Sequence, residues 1–528
     1  MGSSRIIYVL LFLCVTVIAA AYRLPHLSDR PMHGDEANQA VKAGMLFDKG
    51  IYHYDPYEHH GPTLYYFTLP SLWLSGAKQF KDTNEWSYRI VPVVFALGLL
   101  LLFWPLRSAL GNGSVLWAAL LYAVSNAMVF YSRYYIQETL LVFFTAVVLL
   151  SGWRYAATRK AGWAIVIGIG LGMMHATKET SIILIACMGM ACILAWFMAH
   201  LWDKKPLFPE EIPAWHLLCT VFAAILVSVV LFSSFFTHAR GPFDSVLAYA
   251  NYFYRAEGAG STATHEKPWY YYLLLLMYTY RTAGPRWSEA IIPGLALVGA
   301  IPILFHKKVS ENSDDTPATR MALSFQRFIL FYAMLIILAY SLVPYKTPWN
   351  VLDLLFPMFL LAGIGAAWLV RVARFWPVRT IVLILLLGGI AQLADQTCLG
   401  NFRYPADPRN PYVYAHTSTA LMRLVHRVED IAKVNPDGKS MYISVIRPDA
   451  DYWPLPWYLR QYDRVGYWPG IPEPSDAPII IADPHLEDAL TKLLKAHYQV
   501  EIHGLRPGVF LLAYIRQDLW DAFMAARK

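Results

Sequence analysis

The chain has 528 residues, 57% hydrophobic and only 15% charged, whereas soluble domains carry about a quarter charged residues. Its formal net charge of +7 does not point to nucleic acid, because Lys and Arg fall mostly in short links between apolar runs, where they set orientation and meet anionic headgroups. Five cysteines, with Cys14, Cys187, Cys192 and Cys219 inside apolar runs and Cys398 alone outside them, supply no exported disulfide framework and no CxxC motif for zinc or redox chemistry.

The apolar runs are each near the ~20 residues that cross a bilayer. Inside hydrocarbon every backbone polar group must be paired within its own segment, so such runs are helices. The first, residues 6–21, follows Arg5 and closes on Ala19-Ala20-Ala21, a pattern that a cleaved signal peptide shares. It is read here as an uncleaved anchor, because it continues into a loop of functional composition. Either reading puts the residues after Tyr22 outside. Later spans are expected at 90–106, 115–131, 139–153, 163–176, 181–200, 215–236, 290–305, 325–343, 351–370 and 380–394, about eleven in all.

Alternation then places Arg107, Arg154/Arg159/Lys160, Lys204/Lys205, Lys307/Lys308 and Arg371/Arg374/Arg379 on the inner side, a repeated positive-inside pattern. The stretch 269–280, with Tyr270, Tyr271, Tyr272, Tyr278 and Tyr280, is too short and aromatic for a span and fits a headgroup-level helix. Two long outer loops result, 23–88 and 237–287. The tail has strand-like runs at 441–446, 478–482, 499–502 and 509–515, and helical patterning at 417–433 and 486–497, which reads as a small soluble α/β domain. The expected organisation is therefore a membrane domain over 1–396 and an extracytoplasmic α/β domain over 397–528.

Ionisable residues gather in the outer segments. The first loop holds His33-Gly34-Asp35-Glu36-Ala37-Asn38, then Tyr57-Glu58-His59-His60-Gly61-Pro62-Thr63-Leu64-Tyr65-Tyr66. Adjacent carboxylates could do acid/base work; equally, Asp35 and Glu36 could open a helix and favour its positive N-terminal dipole. His33, His59 and His60 with Glu58 and Asp35 have the chemistry for a divalent cation but no diagnostic ligand spacing, and hydrogen bonding within the loop explains them as well. Short outer turns carry Arg133 with Glu138, and Lys178 with Glu179. Charges there are expensive unless they work or pair: Arg and Lys would suit a lipid phosphate, or would snorkel and form structural ion pairs. His265-Glu266-Lys267-Pro268-Trp269 and Tyr345-Lys346-Thr347-Pro348-Trp349-Asn350 complete the set, their aromatics also fitting an interfacial belt.

The pattern His33-Gly34-Asp35-Glu36-Ala37, His60-Gly61-Pro62 with Tyr65-Tyr66, Tyr131-Ser132-Arg133-Tyr134 with Glu138, Lys178-Glu179, Lys346-Thr347-Pro348-Trp349 and Trp453-Pro454-Leu455-Pro456-Trp457-Tyr458-Leu459-Arg460 resembles the GT-C superfamily of membrane glycosyltransferases. That superfamily includes protein O-mannosyltransferases and aminoarabinose transferases. The resemblance runs over nearly the whole chain and is nearest to a prokaryotic branch associated with flippase activity. It implies a mainly α polytopic membrane protein of GT-C type in a prokaryotic cell membrane, transferring a sugar from a polyprenyl-phosphate-linked donor to a glycan, lipid or protein acceptor on the outer face. It implies Asp35 as catalytic base with Glu36 as its motif partner. It implies Arg133, Lys178 and Lys346 as phosphate ligands, with Glu138, Glu179, His60 and Tyr345 also in the substrate site. The resemblance fixes no cofactor; some relatives bind a divalent cation through a loop histidine and a carboxylate, for which His265 or His60 with Glu58 would be the equivalents here. The rival class is a flippase or a non-catalytic flippase-associated subunit. Transporters usually place ionisable residues at the membrane midplane and show repeated halves, whereas here they cluster at outer helix ends without a repeat.

Overall fold

The structure, a computed structural model, describes residues 2–57, 60–202, 212–256, 265–305, 316–448 and 451–527. Glu58, His59 and the expected basic links Lys204/Lys205 and Lys307/Lys308 lie outside the described residues. Each expected span is largely helical, but among the described residues eight helices are long and apolar enough to cross a membrane, or nine if one bent pair counts as a single span. Ala161–His175 and Ile291–Leu304 have 15 and 14 residues, about 20–23 Å of helical rise against ~30 Å of hydrocarbon. The aromatic stretch near residue 270 forms the seven-residue helix Tyr271–Met277, followed by a hairpin of β1 (Thr279–Tyr280) and β2 (Arg286–Trp287).

Two compact units are present. The first comprises Met1–Pro25, Ile51–Phe67 and Arg89–Arg403. Its central element is the helix Val351–Val372, buried from Val351 to Ala366, whereas the neighbouring Trp376–Cys398 buries only Leu386, Leu393, Gln396 and Thr397. Close approach makes this packing possible: a Cβ on Gly365 would lie 2.1 Å from the Leu295 carbonyl, and one on Gly299 would lie 2.1 Å from that of Leu361. Small residues let helix backbones touch where lipid offers no hydrophobic drive.

The expected span over 115–131 is broken, and the helices Asn112–Val124 and Asn126–Ser132 meet at 61°. Ser125 causes the bend, being extended (φ −66°, ψ 124°) and accepting from the Met128 amide as an N-cap. Glu289 completes the new helix start. It accepts from Ser125 Oγ at 2.5 Å and from the Ala127 amide at 2.8 Å. The buried carboxylate thus takes up a donor left over by the break.

The second unit comprises His26–Gly50, Thr68–Tyr88 and Tyr404–Lys528. The tail folds into a five-stranded mixed sheet of β3 (Tyr442–Ile446), β4 (Arg464–Trp468), β5 (Ile479–Ala482), β6 (Tyr498–Arg506) and β7 (Val509–Arg516), in the order β4-β3-β5-β7-β6. β3 pairs parallel with β4 and β5, while β7 pairs antiparallel with β5 and β6. Period-two alternation divides the side chains between two cores. Ile443, Val445, Ile481 and Ala513 pack with Leu424, Val428 and Phe523 of the helices Leu421–Val434 and Gln517–Ala526. Ile480, Ala482, Leu512 and Tyr514 pack with Leu490 of the helix Glu487–Leu493.

Candidate active site

The second unit places Asp35 in the first turn of the helix Gly34–Lys49. His33 is its N-cap and accepts the Asp35 amide on Nδ1 at 3.0 Å. The His33 Nε2 lies 3.0 Å from the Tyr414 carbonyl, so the ring is held with the proton on Nε2 donating and Nδ1 accepting. Glu36 closes the capping box by accepting the His33 amide at 3.0 Å, while its other oxygen takes Arg30 Nη2 at 3.0 Å. Glu36 is fully buried, but the Asp35 side chain is 52% exposed. The two adjacent carboxylates therefore differ in kind: one is locked into the fold, and the other opens on a pocket of about 220 Å³. That pocket also presents Asn38, Thr417, Asp451, Trp453 and Arg506.

The tail motif at 453–460 holds this helix start in place. Tyr458 Oη accepts the Met32 amide at 2.8 Å, and Thr417 Oγ1 donates to the Met32 carbonyl at 2.6 Å. Trp457 is fully buried, donates Nε1 to Glu85 at 2.9 Å and meets the Phe80 and Tyr88 rings edge-on. The Arg460 guanidinium sits 3.7 Å from the Trp457 ring centroid. The Trp-rich pattern is thus explained by packing that rigidifies the Asp35 loop.

The first unit gathers the other predicted residues at one end of its helices. Lys178 hydrogen-bonds Glu138 and lies 3.5 Å from Asn350 Oδ1, with all three buried. Next to Lys178, Glu179 accepts from His60 Nδ1 at 2.8 Å and from Tyr54 Oη at 3.5 Å. Burial pushes the Glu179 carboxyl up, but the His60 imidazole, the backbone and Lys178 together bring it below its ordinary value of 4.5. A depressed carboxyl pKa contributes stability that is complete above the unfolded value and is lost as pH falls through the folded one. Thermal midpoints measured in lipid should therefore decline below pH 4.5. The decline should be shallower in Glu179→Gln, and an identical acid limb in both proteins would contradict the pairing.

Gly61 explains the His-Gly-Pro motif. A Cβ there would fall 2.1 Å from the Ala176 carbonyl oxygen, because Thr63 donates its amide to that same oxygen at 3.1 Å and its hydroxyl to Thr177 Oγ1 at 2.9 Å. The segment is pressed onto the Lys178 turn, which carries His60 to Glu179. Gly61→Ala should cost about 1–3 kcal/mol by overpacking, read as a lowered unfolding midpoint; an unchanged midpoint would refute the close approach.

Arg133 donates Nη1 to the Tyr22, Arg23 and Pro25 carbonyls at 3.1, 3.1 and 2.7 Å and stacks 5.0 Å from the Phe402 ring. Lys346 donates to the Ser341 carbonyl at 3.1 Å and to that of Val343, and desolvation pulls its ammonium below the ordinary Lys range. Both cations thus neutralise the carboxyl ends of helices. Tyr345 stacks on His265 at 4.7 Å and bridges to Glu266. Of the residues expected to hold a divalent cation, Glu58 lies outside the described residues; no group of three His, Cys, Asp or Glu among the described residues could hold an ion.

Sequence reasoning missed Asp353, which is buried and accepts Tyr340 Oη at 2.7 Å. An ionisable residue within the apolar run Val351-Leu352-Asp353-Leu354 was the available signal.

The architecture matches the crystal structure of ArnT from Cupriavidus metallidurans bound to undecaprenyl phosphate. The TM-score is 0.62 at 16% identity, over 97% of this chain and 98% of that one. The chain has the GT-C fold. The archaeal oligosaccharyltransferase AglB from Archaeoglobus fulgidus, solved with an inhibitory peptide and a dolichol-phosphate, also matches, with TM-score 0.56 and 11% identity over 99% of this chain and 75% of that one. A family model described as dolichyl-phosphate-mannose-protein mannosyltransferase (PMT) matches residues 45–241, less than half of the chain. That match includes the His60, Arg133 and Lys178 segments and begins after Asp35. Among curated proteins, Protein O-mannosyl-transferase 1 of Mus musculus is 24% identical over 192 residues, 33% of this chain and 25% of the mouse protein. The chain thus matches about a quarter of that relative's length. The chain is a membrane protein, with several apolar helices long enough to span and the fold of these neighbours.

Proposed function

We propose that this GT-C chain transfers a sugar from a polyprenyl-phosphate donor to an acceptor on the extracytoplasmic face of a cell membrane. The observation that carries this reading is the Asp35 carboxylate. It is half exposed at a pocket, on a helix start fixed by His33, Glu36 and the tail, in a chain whose fold is that of ArnT. Asp35 accepts the proton of the acceptor hydroxyl as the new bond to the anomeric carbon forms and the bond to the phosphate oxygen breaks, with inversion. Glu36 has its carboxylate oxygens committed to Arg30 and the His33 amide, so its part is to position rather than to react.

The leaving phosphate needs cations. Lys178 has three N–H donors, with Glu138 and Asn350 as protein partners, and a phosphate oxygen is its third. Arg133 and Lys346, each hydrogen-bonded to carbonyls at a helix carboxyl end, add positive potential toward the phosphate charge at longer range. The extracytoplasmic assignment is supported by Arg154, at the opposite end of the helix Glu138–Thr158 from Glu138, and by Arg107, which lines the same cavity as Arg154, because basic residues mark the inner side.

The test is transfer itself. The protein in lipid vesicles is given radiolabelled polyprenyl-phosphate sugars, or nucleotide sugars, with membrane extract as acceptor. Label should leave a polyprenyl-phosphate donor and no nucleotide sugar. Donors that bind yet keep their label would shift the reading to a flippase-associated protein.

A further inference from the structure

The opposite end of the same helices carries a second constellation. Residues 104–112 and 150–163 enclose an open cavity of about 550 Å³. Two guanidinium groups face it, each laid against a Trp: Arg107 is 4.6 Å from the Trp104 ring centroid, and Arg154 is 5.5 Å from that of Trp163. Trp153 Nε1 donates to Ser108 Oγ at 2.9 Å, which ties the two links together and fixes the spacing of the arginines. Arg107 gives one bond, to the Trp104 carbonyl at 3.2 Å. Among the described residues neither guanidinium has a carboxylate partner.

An Arg stacked on an indole is desolvated on one face and keeps its in-plane N–H fork for an anion. Two such forks in one cavity suit the paired oxygens of a phosphodiester whose charge no headgroup ammonium offsets. Leu150 and Pro105 add apolar wall to the same cavity, at the ends of helices built to lie in hydrocarbon. A soluble phosphate would gain nothing from that wall, whereas a glycerophospholipid would use both parts. We infer that this cavity binds the phosphodiester headgroup of an anionic glycerophospholipid. The site is independent of Asp35 and Lys178, so it stands or falls separately from the glycosyltransferase reading.

The experiment titrates delipidated full-length protein with phosphatidylglycerol, phosphatidylcholine or inorganic phosphate, reading bound lipid by native mass spectrometry and the thermal midpoint in parallel. Phosphatidylglycerol should be retained and should raise the midpoint, while the other two leave it unchanged. Each basic contact near a membrane surface is worth about 1 kcal/mol, so Arg107→Gln or Arg154→Gln should weaken retention about fivefold and the pair about thirtyfold. Arg159 and Lys160 remain in the double variant, so general attraction by the basic link is held constant. Equal retention of phosphatidylcholine by the unaltered protein, reproduction of the effect by inorganic phosphate, or a double variant that binds like the original would each overturn the assignment. Should the double Gln variant not fold, the headgroup selectivity of the unaltered protein still decides.

Discussion

Asp35→Asn is expected to lower the rate of sugar transfer by about 10²–10⁴-fold, the usual worth of a positioned general base. Donor binding and the unfolding midpoint should stay where they are. The physical basis is the contrast between two neighbouring acids. The Asp35 side chain is half exposed, and the bond that anchors its residue is made by the amide, to His33, so an amide side chain in its place leaves the helix start intact. Kinetically, the loss should appear in kcat with the donor KM preserved, the signature of an interaction made in the transition state. Glu36→Gln makes the opposite prediction. It weakens a buried contact to Arg30 and should lower the midpoint along with activity. Unimpaired turnover by Asp35→Asn would remove Asp35 from the mechanism.

Lys178→Met should destabilise the protein by about 3–5 kcal/mol, because it leaves a buried carboxylate without its cation. Glu138 is buried, and its Oε2 has no hydrogen-bond partner among the described residues, so Lys178 supplies the charge compensation. The ammonium itself is held above its ordinary range: burial lowers it, but Glu138 raises it further. Joint replacement, Lys178→Met with Glu138→Leu, should recover most of the stability, since removing both charges removes the desolvation cost as well. Transfer should remain lost in the double variant if Lys178 also serves the donor phosphate. A double variant that regains full transfer would reduce the pair to a structural ion pair. Unfolding midpoints and transfer rates in the same lipid separate these outcomes.

The membrane class was legible because hydrocarbon forces apolar length and internal pairing on every span, so the helices emerged close to their expected positions. The kink at Ser125 was not legible. Its stability depends on Glu289, more than 160 residues away, and no local pattern announces such a partner. Likewise the strand-like runs of the tail became β3, β5, β6 and β7, while β4 was missed because Arg464-Val465-Gly466-Tyr467-Trp468 lacks a continuous apolar stretch.

At the candidate site, residue type identified the charged groups but not their partners. Lys178 was expected beside Glu179, its neighbour in sequence, yet its closest acid is Glu138, and Glu179 turns to His60. Asp35 and Glu36 admitted both a chemical and a helix-capping reading. The helix start divides them, with Glu36 completing the cap and Asp35 facing the pocket. Burial, which separates two adjacent acids of the same charge, is a tertiary property.

The most direct measurement follows radiolabel from a polyprenyl-phosphate sugar through purified protein in lipid, comparing the unaltered chain with Asp35→Asn under conditions where both bind the donor. Label leaving the lipid carrier with the unaltered protein alone is the predicted result. Donor bound by both and released by neither, with acceptor extract present, would contradict the account.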